Sequence, residues 1–388
     1  MSTATSKPQE QISSFLAERI AASDFPSAVY LIAEHGEVVF ADVLGDAVVE
    51  PQTIPASLET IYDLASLTKP LVTGMLCARR IESGELTLDA SLAHYLPEFD
   101  RPDKAMITVR ELLTHTAGLP AWRPLYLMTE GRPEATISTI AGERLEYAPG
   151  TRVVYSDLGF ITLGFLLERL SGKHFAQLAL SEIIEPLNLS ETFLNPGFAF
   201  RNRLAASEKG NTYERNTVAA LEPLAPVHPK LFRDQVIWGD VHDGNAYFLG
   251  GAAGHAGLFS TARETCRIAE QFIASSSQLL KPGTCELFRT NMTPGLEEAR
   301  SLAWQLAVSQ DSTAGPDLPA ASFGHTGFTG TSCWIDSIGE RIFILLTNRT
   351  HARSLPFANI NSVRRQFHSF AVAALDQIRT AGLKPAVW

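Results

Sequence analysis

The sequence predicts an α+β protein: an antiparallel sheet assembled from both ends of the chain, flanked by helices, with a mostly helical region inserted between them. Three observations lead there. Strand pairs around short polar turns lie near each terminus, helical periodicity dominates the middle, and no internal repeat is visible. Near the start, Ile12, Phe15, Leu16 and Ile20 recur at helical spacing, which predicts a surface helix with one buried stripe. Ala28 to Ala33 and Val38 to Ala41 then read as strands around Glu34-His35-Gly36-Glu37, a hairpin. In the middle, Leu71 to Ser83, Val109 to Leu113, Leu158 to Ser171 and Ala176 to Glu185 read as helices, with Gly84 and Gly172 at C-cap positions. Thr108 with Glu111, and Thr261 with Glu264, have capping-box spacing. Phe200 to Gly250, interrupted by Pro223, Pro226 and Pro229, reads as a long irregular excursion of the kind that lines binding sites. A second hairpin pairs Gly330 to Asp336 with Arg341 to Asn348 around Ser337-Ile338-Gly339-Glu340. The last helix carries Ile360, Val363, Phe367, Phe370, Ala371, Ala374, Leu375 and Ile378 on one face, wide enough to cover a sheet. The expected division is a discontinuous sheet domain from residues 1–65 and 265–388, and a helical region from 66–264.

Composition narrows the function. The 388 residues are 45% hydrophobic and 19% charged, enough to bury a core without metals or disulfides. A net charge of −10 with no basic run argues against nucleic acid or an anionic membrane as partner. Cys77, Cys266, Cys285 and Cys333 are scattered, with neither disulfide-framework nor zinc spacing. Met1 to Phe15 lacks the apolar core of a secretory signal, and no apolar stretch has the length of a membrane span. The expectation is a soluble cytoplasmic protein, or an exported one if a signal was removed. The sequence leaves its oligomeric state open.

Three short segments could carry chemistry. In Ser66-Leu67-Thr68-Lys69, the following Pro70 belongs to the first turn of a helix, so that helix should begin near Ser66. Side chains three apart then share a face, with about 5–6 Å between their Cβ atoms. A neutral lysine there could take the serine proton, and the helix N-terminus would favour the developing charge. The bland alternative is Ser66 as a mere N-cap. In Tyr155-Ser156-Asp157, Asp157 reads as an N-cap and Tyr155 as a half-buried aromatic. Alternatively Tyr155 is a base, its pKa lowered by a cation such as Lys69. In His325-Thr326-Gly327, preceded by Gly324 and leading into a strand, Gly327 would let a substrate approach the backbone closely. The bland alternative is a glycine turn.

Taken together and in this order, the segments resemble the penicillin-recognising serine hydrolases of the class C β-lactamase type. That superfamily includes D-alanyl-D-alanine carboxypeptidases, D-aminopeptidases and family VIII esterases. Its motifs are serine-x-x-lysine, tyrosine-x-asparagine and lysine- or histidine-threonine-glycine. They match Ser66 with Lys69, Tyr155 with Asp157, and His325-Thr326-Gly327. Supporting stretches are Thr108 to Leu119, Pro149-Gly150-Thr151, Gly254 to Thr261 and Gly327-Phe328-Thr329-Gly330, so the resemblance runs over roughly residues 10 to 380. It implies a β-lactamase/transpeptidase-like fold, with the active site between the two regions and no metal or organic cofactor. Ser66 would form an acyl-enzyme, with Lys69 and Tyr155 sharing the proton traffic as a coupled pair. The backbone N–H groups of Ser66 and Phe328 would hold the oxyanion, a device commonly worth about 3 kcal/mol per donor. Asp157, His325, Thr326 and Gly327 would bind substrate, with His325 opposite Tyr155.

Two departures matter. Asp157 stands where the family has asparagine, and an ionised carboxylate only accepts hydrogen bonds. His325 in place of lysine removes a fixed positive charge at neutral pH. Both point away from a β-lactam and towards a small-molecule ester or amide; an esterase on short acyl esters ranks ahead of a D-amino-acid peptidase, and a β-lactamase comes third. A catalytically silent scaffold on this fold is the rival reading, and it predicts eroded catalytic groups. His242, Asp243 and His255 admit a metallohydrolase reading, but their spacing is not that of HExxH, and structural hydrogen bonds or pocket lining are the preferred reading. The glycines of 250–257 lack GxGxxG spacing, and no GxSxG elbow exists. His115 reads as a structural cation at a helix C-terminus, while Trp238 and Tyr247 read equally as pocket or core.

Overall fold

The computed structural model describes residues 8–221 and 232–381. Ten strands are formed among them: β1 (Ser27–Glu34), β2 (Glu37–Val48), β3 (Ile54–Pro55), β4 (Tyr62–Asp63), β5 (Phe193–Leu194), β6 (Leu258–Ser260), β7 (Gln305–Leu306), β8 (Phe323–Thr326), β9 (Ser332–Asp336) and β10 (Arg341–Thr347). Seven make one antiparallel sheet in the order β3-β2-β1-β10-β9-β8-β7. The two predicted hairpins meet at its centre, where β1 pairs with β10 from Ala28↔Thr347 to Glu34↔Arg341. Both central strands read as unbroken apolar runs because both of their faces are buried. Alternation sorts the side chains. Tyr30, Ile32, Phe343 and Leu345 point to one side, where they meet Ile12 and Leu16 of the helix Pro8–Ala21 and Val363 and Phe367 of the helix Asn361–Ala381. Val29, Leu31, Ile342 and Ile344 point to the other, into a larger core shared with the helical region. Burying each such side chain fully is worth about 1.5–3 kcal/mol.

The helical region contributes Met75–Ser83, Asp157–Ser171 and Ala262–Ala269, and the last of these packs on β1 and β10. At Gly254 an added Cβ would strike the carbonyl of Phe160, so the 251–257 loop lies directly on the helix Asp157–Ser171. A second sheet, β4-β6-β5, pairs Tyr62 with Ser260 and leads the chain to Ser66. Among the described residues no helix is long and apolar enough to cross a membrane.

Several sequence expectations are corrected at this level. The N-cap of Asp157–Ser171 is Ser156, whose Oγ accepts from Gly159 N at 3.2 Å; Asp157 is the first helical residue. Thr108 and Glu111 form the full capping box, but Thr261 and Glu264 form only half of one. Glu264 instead spends its carboxylate on Ser190 N, Glu191 N and the Thr192 hydroxyl. The irregular excursion contains the nine-residue helix Thr212–Ala220, whose buried Glu214 and Val218 lie four apart. Pro223, Pro226 and Pro229 lie outside the described residues.

Candidate active site

Ser66 sits at the exit of the small sheet. Between Thr60 and Ala78 it is the one residue not buried. The chain turns there because the buried Asp63 carboxylate accepts from Ala65 N at 2.8 Å and His242 N at 2.7 Å. Ala65 takes φ 48°, a left-handed conformation costly for a residue with a Cβ. A 3-10 turn, Ala65–Leu67, then runs into a single wide π turn, Lys69–Gly74, before the regular helix. Pro70 lies in that wide turn, where its missing N–H breaks no regular α-helical ladder.

Lys69 is fully buried, and its ammonium has three oxygen neighbours, two as hydrogen-bond acceptors and one as an ion-pair partner. They are Ser66 Oγ at 2.9 Å, the His255 carbonyl at 3.1 Å and Asp157 Oδ1 at 2.7 Å. Burial works against the ammonium, but the charges of Asp157 and Tyr155 outweigh it, and the Lys69 pKa is raised. The Tyr155 ring centroid is 4.8 Å from Lys69 Nζ, and its hydroxyl reaches both Lys69 and Ser66. Burial raises the Tyr155 pKa, the Lys69 charge opposes it, and the net shift is upward. Both directions favour an ammonium at Lys69 and a neutral phenol at Tyr155, whereas the sequence reading has a neutral Lys69 able to take the serine proton and a Tyr155 base that would need a lowered pKa.

Two histidines flank the tyrosine. The His115 ring lies 4.6 Å from the Tyr155 ring, and its Nδ1 accepts from Ser156 N at 3.0 Å. Burial and the charges of Arg300 and Lys69 hold its pKa well below the ordinary value, so it is a neutral spacer and not a helix-end cation. His325, on β8, is 5.8 Å from Tyr155 on the other side. Its Nδ1 donates to the Thr326 carbonyl at 2.9 Å, which leaves the lone pair on Nε2. Burial, Arg300 and Lys69 keep this imidazole neutral as well. Arg300, which the sequence reading missed, lies over the Tyr155 ring at 5.9 Å. Its Nη2 pairs with Glu298 at 2.7 Å, while buried Nε and Nη1 have no acceptor among the described residues.

The opposite wall is the turn between β8 and β9, and Phe328 belongs to this turn, not to a strand. A Cβ on Gly327 would strike the Thr331 hydroxyl and the Leu64 carbonyl. This glycine is thus required by the close approach of the protein's own Thr331 and Leu64. Thr329 Oγ1 donates to Asp63 O at 2.7 Å and Thr331 Oγ1 to Leu64 O at 3.0 Å, tying the turn to the segment that carries Ser66. Among the described residues the N–H groups of Ser66 and Phe328 have no internal acceptor. Both are free to bind an oxygen.

A cleft of about 820 Å³ joins these groups: Ser66, Tyr155, Asp157, His325, Thr326, Gly327 and Phe328 all line it. Aromatic lining comes from Trp122, Tyr213, Phe328 and Phe357. Trp238 is buried, with Nε1 on Leu204 O, and Tyr247 is exposed against Arg233; neither lines the cleft. His242 and His255 do not converge. His242 Nε2 meets Glu208 at 2.9 Å and His255 Nε2 meets Asp243 at 2.7 Å, and among the described residues no cluster of His, Cys, Asp and Glu could hold a metal ion. Glu214, also in the lining, is pushed up to about 8 by burial and the neighbouring Asp243 charge. The four-residue spacing of Glu214 and Val218 was the signal that could have placed it. Arg300 sits in no recognisable motif, and only the fold brings it to Tyr155.

A family model described as Beta-lactamase matches residues 12–364. A protein of Escherichia coli (strain K12) named "Putative D-alanyl-D-alanine carboxypeptidase" is 29% identical, over 84% of this chain and 79% of its own length. The N-acetylmuramyl-L-alanine amidase of Bacillus subtilis (strain 168) is 30% identical, over 86% of this chain and 79% of its own length. Among solved structures, "EstCE1, a hydrolase with promiscuous acyltransferase activity" superposes with a TM-score of 0.71 at 23% identity, covering 94% of this chain and 98% of that one, a likeness of fold. The family match, the sequence relatives and the Ser66–Lys69–Tyr155 geometry agree: this chain belongs to the beta-lactamase family and is a serine hydrolase.

Proposed function

We propose that the enzyme cleaves small acyl esters through an acyl-Ser66 intermediate. Ser66 Oγ attacks the carbonyl carbon, and the developing oxyanion is received by the N–H groups of Ser66 and Phe328. The Ser66 proton goes to Lys69, which takes it only after its ammonium has given one up. Tyr155, a neutral phenol beside Ser66, protonates the departing alkoxide. In the second half water attacks the acyl carbon, and the same groups run in reverse.

The buried Lys69 ammonium, bonded to Ser66 Oγ and the His255 carbonyl and ion-paired with Asp157, is the observation that carries this reading. A base held in its protonated form suits an ester, whose carbonyl is more electrophilic than an amide's and whose leaving group needs less assistance. Asp157 accepts from Lys69 and offers no donor to an amide carbonyl. One observation favours a second reading, hydrolysis of a peptide with a terminal carboxylate. Arg300 has two buried donors without acceptors beside His325 and Tyr155.

The test is turnover of a short-chain p-nitrophenyl ester, an acylated D-alanyl-D-alanine and a penicillin, with intact-mass spectrometry for the acyl adduct. Ester turnover is expected to dominate and to fall at least about 10³-fold in Ser66→Ala. Ester hydrolysis that survives in Ser66→Ala, or cleavage confined to the dipeptide, would overturn it.

A further inference from the structure

The Gly327 carbonyl and the Phe328 N–H belong to one amide group, and that carbonyl is bound by a guanidinium. Arg364, in the first turn of the helix Asn361–Ala381, is buried and directs Nη2 to Gly327 O at 2.9 Å and Thr331 O at 3.0 Å. Its Nη1 donates to Asn361 Oδ1 at 2.8 Å. Arg349 holds the next carbonyl, with Nε and Nη2 on Phe328 O at 3.1 and 2.7 Å and Nη1 on Ala358 O at 2.8 Å. The backbone closes the arrangement: Gly327 N donates to Thr331 O at 2.9 Å, and Arg349 N to Thr329 O at 2.8 Å.

Neither arginine forms an ion pair among the described residues, and the Nε of Arg364 is buried without an acceptor. A buried cation without a counter-ion is costly, and a second cation beside it adds to the cost. Neutral donors could have held the same carbonyls. A full positive charge does something that they cannot. A charge-assisted hydrogen bond to an amide oxygen draws electron density from the nitrogen of the same amide, and in a low-dielectric site the effect is strengthened. The N–H that gains from a donor on Gly327 O is that of Phe328, which has no internal acceptor.

We propose that Arg364 is a positioning residue for the oxyanion hole: its bond to the Gly327 carbonyl polarises the Phe328 N–H and, with Arg349 on the following carbonyl, fixes its direction toward the oxygen at Ser66. This rests on the reading of Ser66 as the nucleophile and of Phe328 N–H as an oxyanion donor. The effect concerns charge that develops in the transition state, so it acts on kcat and on tetrahedral adducts more than on ground-state binding. It also acts on substrates that carry no charge, which separates it from direct binding of a substrate carboxylate by Arg364.

The experiment uses the full chain, an uncharged short-chain p-nitrophenyl ester and a simple alkyl boronic acid, which adds to the serine and presents an anionic oxygen to the hole. In Arg364→Met we expect kcat to fall about 10- to 100-fold with KM within about twofold, and boronate affinity to weaken by a similar factor. Arg364→Lys, which keeps the cation, should recover most of both. Where Arg364→Met does not fold, as judged by its melting curve, Arg364→Gln against Arg364→Lys makes the same comparison, because Gln keeps a donor without the charge. An unchanged kcat, a change confined to KM, or Gln performing as well as Lys would overturn the proposal. A wild-type enzyme that neither turns over the ester nor binds the boronate would sink the underlying reading instead, and this inference with it.

Discussion

The two walls of the cleft are built from different chemistry. On one, the contacts that define the wall join groups that gain or lose protons: Lys69 to Ser66, Lys69 to Asp157, and Tyr155 to both Lys69 and Ser66. On the other, threonine hydroxyls and guanidinium groups bind the backbone carbonyls around Phe328 N–H. The first wall can move protons and pays for it with a buried ammonium and carboxylate. The second cannot move protons, and in exchange its geometry is over-determined. The walls meet at the backbone of Asp63 and Leu64, whose carbonyls receive Thr329 and Thr331 just before the chain turns to Ser66. Damage to the first wall should therefore alter how activity depends on pH, and damage to the second should lower activity evenly at every pH.

The largest effect should come from Lys69→Ala. It removes the proton acceptor and leaves Asp157 facing the cleft without its cation, so ester kcat/KM should drop at least about 10³-fold and the acyl adduct should vanish from the mass spectrum. Wild-type acylation rates in that variant would remove lysine from the mechanism. A smaller effect is expected on the other wall. Thr331→Val keeps the shape but deprives the buried Leu64 carbonyl of its hydroxyl donor. Unfolding in urea should show a loss of about 1–3 kcal/mol. Ester kcat should fall about tenfold, with KM and the pH profile unchanged, as for a partly displaced oxyanion donor. A shifted pH profile in Thr331→Val would show that the walls are not independent.

The central sheet was legible because the code for it is local. Apolar runs around short polar turns marked Ala28 to Ala33 with Val38 to Ala41, and Gly330 to Asp336 with Arg341 to Asn348, without knowledge of how the two hairpins pair. Ser66 and Lys69 were legible for a similar reason, since helical spacing alone puts residues three apart on one face. The protonation state was not legible. It depends on burial and on Asp157, which the helix Asp157–Ser171 brings to Lys69 from 88 residues away in sequence. Arg349 and Arg364 escaped for another reason. Their partners are mostly backbone carbonyls, which leave no trace in a residue pattern. A glycine reports only that something approaches, and the approach of Thr331 and Leu64 to Gly327 could not be read from the sequence.

Asp157→Asn is the mildest change and the sharpest probe of the first wall, because it installs the amide expected at this motif position. In the wild type, burial lowers the Lys69 pKa and Asp157 is the first of the influences that raise it above the ordinary value. Without the carboxylate, burial remains and its main opponent is gone, so the pKa must fall. If Lys69 must shed a proton before it can accept one from Ser66, wild-type ester hydrolysis should rise into the alkaline range. In Asp157→Asn the rising limb of kcat/KM should then move to lower pH. Activity near neutral pH should hold or increase, even though a charged partner has been deleted. A limb that stays in place would mean that the proton leaves Ser66 by way of Tyr155 alone. Loss of activity at every pH would mean that Asp157 itself is the base, because an amide cannot take the proton.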